Sequence, residues 1–148
     1  MATDYGLLAL GYLSQQEPGR LACAKEIAEA YNIPPELLAK ILQKLARAGL
    51  VKSHAGPTGG YVLAREPRDI NVSSVISAVE GPVHLVRCLN DDLSCLLAHT
   101  CDIVEPMRII QERVLELLEE ITLEEIRSKC RRPGTEEKGA VTTAAERG

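Results

Sequence analysis

Residues 33–64, IPPELLAKILQKLARAGLVKSHAGPTGGYVLA, decide the fold. Pro34 and Pro35 suit the start of a helix, where a missing N–H is one the first turn leaves unpaired anyway. Leu37, Leu38, Ile41, Leu42 and Leu45 then recur at the period of one helical face. Glu36, Lys40, Gln43, Lys44 and Arg47 fall on the other side, and Gly49 ends the helix at Ala48. Leu50-Val51-Lys52-Ser53 reads as a short strand, His54 to Gly60 as a turn-rich loop and Tyr61-Val62-Leu63-Ala64 as the returning strand. Two strands around a glycine-rich loop make a β-hairpin. The loop is no phosphate cradle, because it lacks the Lys-Ser/Thr ending and does not lead into a helix.

Working outward, Tyr5, Leu8, Ala9, Tyr12 and Leu13 share one face of a helix expected over residues 3–15, which Glu17-Pro18-Gly19 stops. A second helix is expected over 22–31, with Ile27, Ala28 and Tyr31 inward and Asn32 as its cap. On its own, the charged side of residues 35–48 is an ordinary solvated face. A short helix, a tight turn and a second helix with exposed basic residues together describe a helix-turn-helix. Three helices followed by a hairpin describe a winged helix, so Glu36, Lys40, Gln43, Lys44 and Arg47 become candidate DNA contacts, with His54 and Thr58 on the wing.

Charge supports this reading through its distribution rather than its sum. The net charge is −4, but residues 20–68 hold eight Lys/Arg against four Asp/Glu, a local +4. Residues 69–148 hold nine against fifteen, a local −6. Such asymmetry marks a part that faces an anionic partner. With aromatics at 3% and no Phe or Trp, a core of Leu, Ile, Val and Ala favours packed helices. No apolar run reaches the ~18 residues of a membrane span, and the opening residues do not resemble a secretion signal, so a cytoplasmic location is expected.

Beyond a linker at 65–71, Val72, Val75, Ile76 and Val79 define a short helix over 73–80, ended by Gly81-Pro82. Residues 83–101 have no clear period and carry Cys88, Cys95 and Cys101. Five cysteines, an odd number, argue against a disulfide framework. Cys23 reads as a small core residue of the second helix and Cys130 as incidental to the tail. Over 103–121, Ile103, Met107, Ile110, Val114, Leu117 and Ile121 are spaced 4, 3, 4, 3 and 4 apart, an uninterrupted heptad seam. Ile109, Leu115 and Leu118 would cover the chain's own domain while the seam meets a second copy. Asp102 and Glu105 match a capping box with Asp in place of Ser/Thr, and a last helical turn is expected over 124–128. From residue 131 the chain is polar and small, and disorder is expected.

These residues resemble the Rrf-two family of iron–sulfur winged-helix transcription regulators (IscR/NsrR-like), nearest its SUF-system regulator branch. The resemblance rests on Thr3-Asp4-Tyr5-Gly6, Ile33-Pro34-Pro35, the wing Ser53-His54-Ala55-Gly56-Pro57-Thr58-Gly59-Gly60-Tyr61 and Ala78-Val79-Glu80-Gly81-Pro82. Three cysteines and a long helix then follow in the family's order, and the match runs from residue 3 to about 127. Two departures stand out. The wing Arg of the family is Ala55, which removes a side chain suited to the minor groove. The spacing Cys88-x6-Cys95-x5-Cys101 has one more residue in its first gap than the commonest version.

The resemblance implies an iron–sulfur cluster (2Fe–2S or 4Fe–4S) on Cys88, Cys95 and Cys101. Clusters ordinarily take four ligands, so one must come from elsewhere. In the family this is a His after the last Cys, where Val104 stands here, or an acidic residue of the first helix of the partner subunit. Asp4 occupies that acidic position, followed as candidates by His99 and His84. Structural zinc and metal-free thiols remain alternatives; no CxxC pair favours zinc.

The expected architecture is mainly α: a winged helix-turn-helix with a small two-stranded β wing, plus a long dimerisation helix. It divides into residues 1–68 (DNA-binding), 69–101 (linking helix and cysteine loop), 102–128 (dimerisation) and 129–148 (tail). The expected function is a homodimeric repressor that binds a double-stranded DNA operator under control of the cluster, serving iron–sulfur assembly or stress genes. A metal-free thiol redox regulator and a nitric-oxide-responsive repressor of the same fold are the alternatives, beside a winged helix that binds protein. No nucleophile–base pair or carboxylate dyad points to an enzyme.

Overall fold

The computed structural model describes residues 2–90, 95–97 and 100–129 of the 148. Among the described residues six α-helices and one hairpin follow in the order α1 (Ala2–Ser14), α2 (Ala24–Tyr31), α3 (Pro35–Arg47), β1 (Val51–His54), β2 (Gly60–Leu63), α4 (Val72–Glu80), α5 (Val104–Glu120) and α6 (Leu123–Lys129). The expected architecture, mainly α with a two-stranded wing and a long late helix, is the one observed.

The turn between α2 and α3 is set by Asn32, whose left-handed backbone (φ 54) lets its N–H reach back to the carbonyls of Ala28 and Glu29. Asn tolerates that conformation better than most residues, which is why it ends helices. Pro35 then opens α3 within its first turn. β1 and β2 pair antiparallel with Val51 opposite Leu63 and His54 opposite Gly60. Ala22, just ahead of α2, adds a further rung: its N–H donates to the Tyr61 carbonyl at 3.1 Å and the Tyr61 N–H donates to its carbonyl at 2.8 Å. A Cβ at position 60 would stand 2.7 Å from the Ala22 carbonyl oxygen, so only glycine lets the wing sit this close to the entrance of α2.

The core gathers Leu10 and Leu13 of α1, Ile27 of α2, Leu38, Ile41, Leu42 and Leu45 of α3, then Leu50, Val51, Ile70, Val75 and Val79. Each large side chain among these contributes about 1.5–3 kcal/mol through the apolar area it removes from water. Gly6 lets α1 press onto α4, since a Cβ there would lie 3.2 Å from Val79 Cγ2. Between α1 and α2, Glu26 accepts hydrogen bonds from Tyr12 and Arg20, both 2.7 Å. Partial burial works to raise the Glu26 carboxyl, but these two donors and the Arg20 charge outweigh it and hold Glu26 below its ordinary range.

α5 leaves this core. It touches α4, and Gln111 Oε1 accepts from the Leu85 N–H at 3.0 Å, yet no residue of α5 is buried. The chain then returns. Leu123, 1% exposed, enters the core; its N–H donates to the Ile70 carbonyl at 2.8 Å, and α6 packs on α1. Thr122 and Glu125 form a reciprocal capping box, each side chain accepting from the other's backbone N–H.

The box expected at Asp102 and Glu105 does not form. Ile103 is the cap of α5, its backbone is helical (φ −98, ψ −6) and no side chain caps it. A capping carboxylate needs an extended residue at that point. Glu105 instead pairs with Arg108, which also reaches Glu112 at 2.8 Å. The disorder expected after residue 129 lies outside the described residues.

Candidate nucleic-acid interface and cysteine loop

α3 buries Leu38, Ile41, Leu42 and Leu45 and leaves Glu36, Lys40, Gln43, Lys44 and Arg47 exposed. This follows from the 3.6-residue period, which puts each set on its own side. Beside it the wing presents Lys52, Ser53, His54 and Thr58, all exposed. Lys52 was not among the expected contacts. A charged residue directly after the buried Val51, in a strand whose other three residues are all exposed, was the signal for it. A cleft lined by Cys23, Ala24, Ser53, His54, Gly60 and Tyr61 separates the wing from the start of α2.

The structure separates the α3 side chains by their partners. The Lys44 ammonium donates to the carbonyl of Val79, in the last turn of α4, at 2.8 Å. The residue after Val79, Glu80, accepts through Oε1 from the Thr3 hydroxyl at 3.0 Å and the Thr3 N–H at 3.2 Å. Those bonds hold the Glu80 carboxyl below its ordinary value. Sequence reading missed both links, which join residues 35 and 77 positions apart.

Cys23 also differs from expectation. It is the exposed N-cap of α2, and its sulfur accepts from the Glu26 N–H at 3.4 Å. Its backbone is extended (ψ 156), so the side chain turns toward the open first-turn amides rather than into the core.

Cys88 lies in the short 3₁₀ turn Arg87–Leu89, Cys101 lies just ahead of α5, and Cys95 lies between them. All three are free and half-exposed. Asp4 and His84 are exposed, Asp4 in the first turn of α1; His99 lies outside the described residues. Among the described residues, no three of His, Cys, Asp and Glu come together as a group that could hold a metal ion. The donor set suits an iron–sulfur cluster chemically, as three accessible thiols on one loop, but the described residues of one chain do not assemble it.

The α5 seam is largely open. Ile103 is 62% exposed, Ile110 47% and Leu117 56%, with Met107, Val114 and Ile121 half-buried. Ile109, assigned to the chain's own side, is also exposed, while Leu115 and Leu118 are half-buried. Among the described residues no helix is long and apolar enough to cross a membrane.

Three helices, the two-stranded wing and an outward polar face on α3 define a winged helix-turn-helix protein, extended here by a cysteine loop and a long helix. The chain belongs to the Rrf2 (Rrf-two) family, described as iron-dependent transcriptional regulators, whose model matches residues 1–129. It is 33% identical over 125 residues to the HTH-type transcriptional regulator NsrR of Halalkalibacterium halodurans, covering 84% of this chain and 86% of that one. Among solved structures it is similar to CymR, the global cysteine regulator of B. subtilis (31% identity, TM-score 0.69, 88% of this chain and 96% of that one). It is also similar to T. potens IscR (28% identity, TM-score 0.65, 93% and 90%).

Proposed function

We propose that this regulator is a cytoplasmic, homodimeric DNA-binding repressor, acting by binding rather than catalysis, whose grip on its operator is set by an iron–sulfur cluster. The observation that carries the reading is the pairing of two unfinished surfaces: a polar, partly basic α3 and wing, and an apolar α5 seam that the described residues leave half open, with Ile103, Ile110 and Leu117 exposed. Two copies joined along α5 would present two α3 helices for successive major grooves, about 34 Å apart. Lys40 and Arg47 suit phosphates, Gln43 and Glu36 can reach base edges, and His54, Thr58 and Lys52 place the wing.

Cys88, Cys95 and Cys101 would hold the cluster, with Asp4 of a second copy as fourth ligand and His99 or His84 as alternatives. Bound there, a cluster supplies a centre whose loss or oxidation reports iron, oxygen or nitric oxide. The loop runs from α4 to α5, between the two unfinished surfaces, so its state bears on both. For a large change in operator occupancy, the two states must differ in DNA affinity by a few kcal/mol. The proposed division is a DNA-binding part over 1–68, a linking part over 69–101 and a dimerisation part over 102–128, of which α5 would pair while α6 returns to the core beside α1.

A metal-free thiol regulator is the second reading, favoured by the dispersion of the described metal-ligand side chains.

DNA binding is tested by fluorescence anisotropy of a labelled random-sequence duplex against salt. Phosphate contacts release counterions, so six to ten of them cost roughly 10³–10⁵ in affinity between 50 and 200 mM salt. A steep linear fall in log affinity is expected. Absent or salt-insensitive binding overturns the proposal and leaves a winged helix that binds protein.

A further inference from the structure

We propose that Lys44 is a positioning residue rather than a DNA contact, and that the last turn of α4 which it caps is the coupling through which the cysteine loop acts on α3. The inference rests on the DNA-binding reading above.

Its first support is the destination of the ammonium. A helix leaves its last carbonyls without intrahelical partners, and the negative end of its dipole favours a cation there. Val79 is the penultimate residue of α4, and its carbonyl is met by Lys44 at 2.8 Å. A lysine that satisfies an orphan carbonyl on a neighbouring helix is tied to that helix. Lys40 and Arg47, one helical turn before it and one residue short of a turn after it, share the exposed side of α3, and no described bond ties either to α4.

The second support is what else meets at that turn. Glu80 binds the first turn of α1 through Thr3, whose neighbour is Asp4. Gly81 ends α4 and begins the segment that leads to Cys88; its N–H is held by the Ser77 carbonyl at 3.1 Å. Val79 packs against Gly6 of α1. Three consecutive residues thus touch α3, α1 and the start of the cysteine loop. A displacement of the loop pulls on Gly81, and Lys44 carries it to the end of α3 that also bears Arg47.

The test compares Lys44→Met with Lys40→Met and Arg47→Met, each keeping an unbranched stem and removing the charge. Two quantities are read: the salt slope of binding to the labelled random-sequence duplex, and hydrogen exchange at the Gly81 and Thr3 amides of the free protein. Loss of one phosphate contact lowers the slope by about 1. Lys40→Met and Arg47→Met are expected to do so. Lys44→Met is expected to leave the slope unchanged while exchange quickens several-fold at both amides, with Lys44→Arg restoring protection because a guanidinium can still donate to Val79. A slope lowered by Lys44→Met, or unchanged exchange at either amide, overturns the inference. If Lys40 and Arg47 also leave the slope unchanged, the DNA face itself is wrong; the exchange arm, measured without DNA, still decides whether Lys44 holds the last turn of α4.

Discussion

α3 and α5 are built from the same materials. Each carries an apolar stripe on one side and charged residues with a Gln on the other, Lys and Arg prevailing in α3 and Glu in α5. The stripe of α3 is sealed along Leu38, Ile41, Leu42 and Leu45, and only Leu37, in its first turn, stays 38% exposed. That of α5 contains no buried residue, and three of its six seam positions are more than 45% exposed. The difference teaches which apolar surface the chain uses to fold and which it holds in reserve. Period alone reveals an apolar stripe. Only its surroundings show whether the stripe is satisfied within the chain, and disrupting the two stripes has different consequences, for folding in α3 and for association in α5.

The largest effects are expected when each stripe is disrupted in turn, by truncation in α3 and by charge in α5. Leu42→Ala opens a cavity in the packed core and is expected to cost about 2–5 kcal/mol of folding stability, measured by urea denaturation. In α5, Ile110→Glu with Leu117→Glu is expected to leave the circular dichroism of the fold intact while the protein sediments as a monomer. Each seam side chain is worth about 1.5–3 kcal/mol when buried and occurs twice in a dimer, so the variant should need roughly a thousandfold or more higher concentration to pair. A protein that unfolds with those two changes would show that α5 serves the chain's own core.

Smaller effects sharpen the picture where the chain returns from α5. Thr122→Ala removes half of the capping box and is expected to cost about 1 kcal/mol, read from the same denaturation curve. Glu80→Gln tests the clamp on α1 by pH. The folded Glu80 carboxyl is depressed, so its contribution is fully present above the unfolded value of about 4.3 and is lost as pH falls through the lower folded value. Wild type should exceed Glu80→Gln in stability at neutral pH, and the gap should close in acid.

Much of this architecture was legible because it follows from local rules. The leucine period of residues 37–45, the αL cap at Asn32 and the hairpin around Gly59-Gly60 each depend on a few neighbouring residues, and the heptad of 103–121 is a periodicity that survives any tertiary context. What escaped depends on distant partners. Nothing near Lys44 in the chain announces that its ammonium ends on Val79, nor does anything near Thr3 announce Glu80. Cys23 read as a small core residue because the second helix was expected to begin at residue 22, yet the helix starts at Ala24 and one residue of extended backbone turns Cys23 into its cap. The Asp102 pattern failed for the converse reason: the right residue types were present without the backbone conformation that lets them act.

What the three thiols of the loop hold decides how this regulator would sense. The direct measurement is the visible spectrum, with iron and acid-labile sulfide content, of anaerobically purified protein beside a variant in which Cys88, Cys95 and Cys101 are all alanine. A brown wild type containing sulfide, beside a colourless but folded and dimeric variant, is the predicted result. A wild type that stays colourless and free of iron after reconstitution would contradict the cluster and leave a winged-helix regulator that senses through bare thiols.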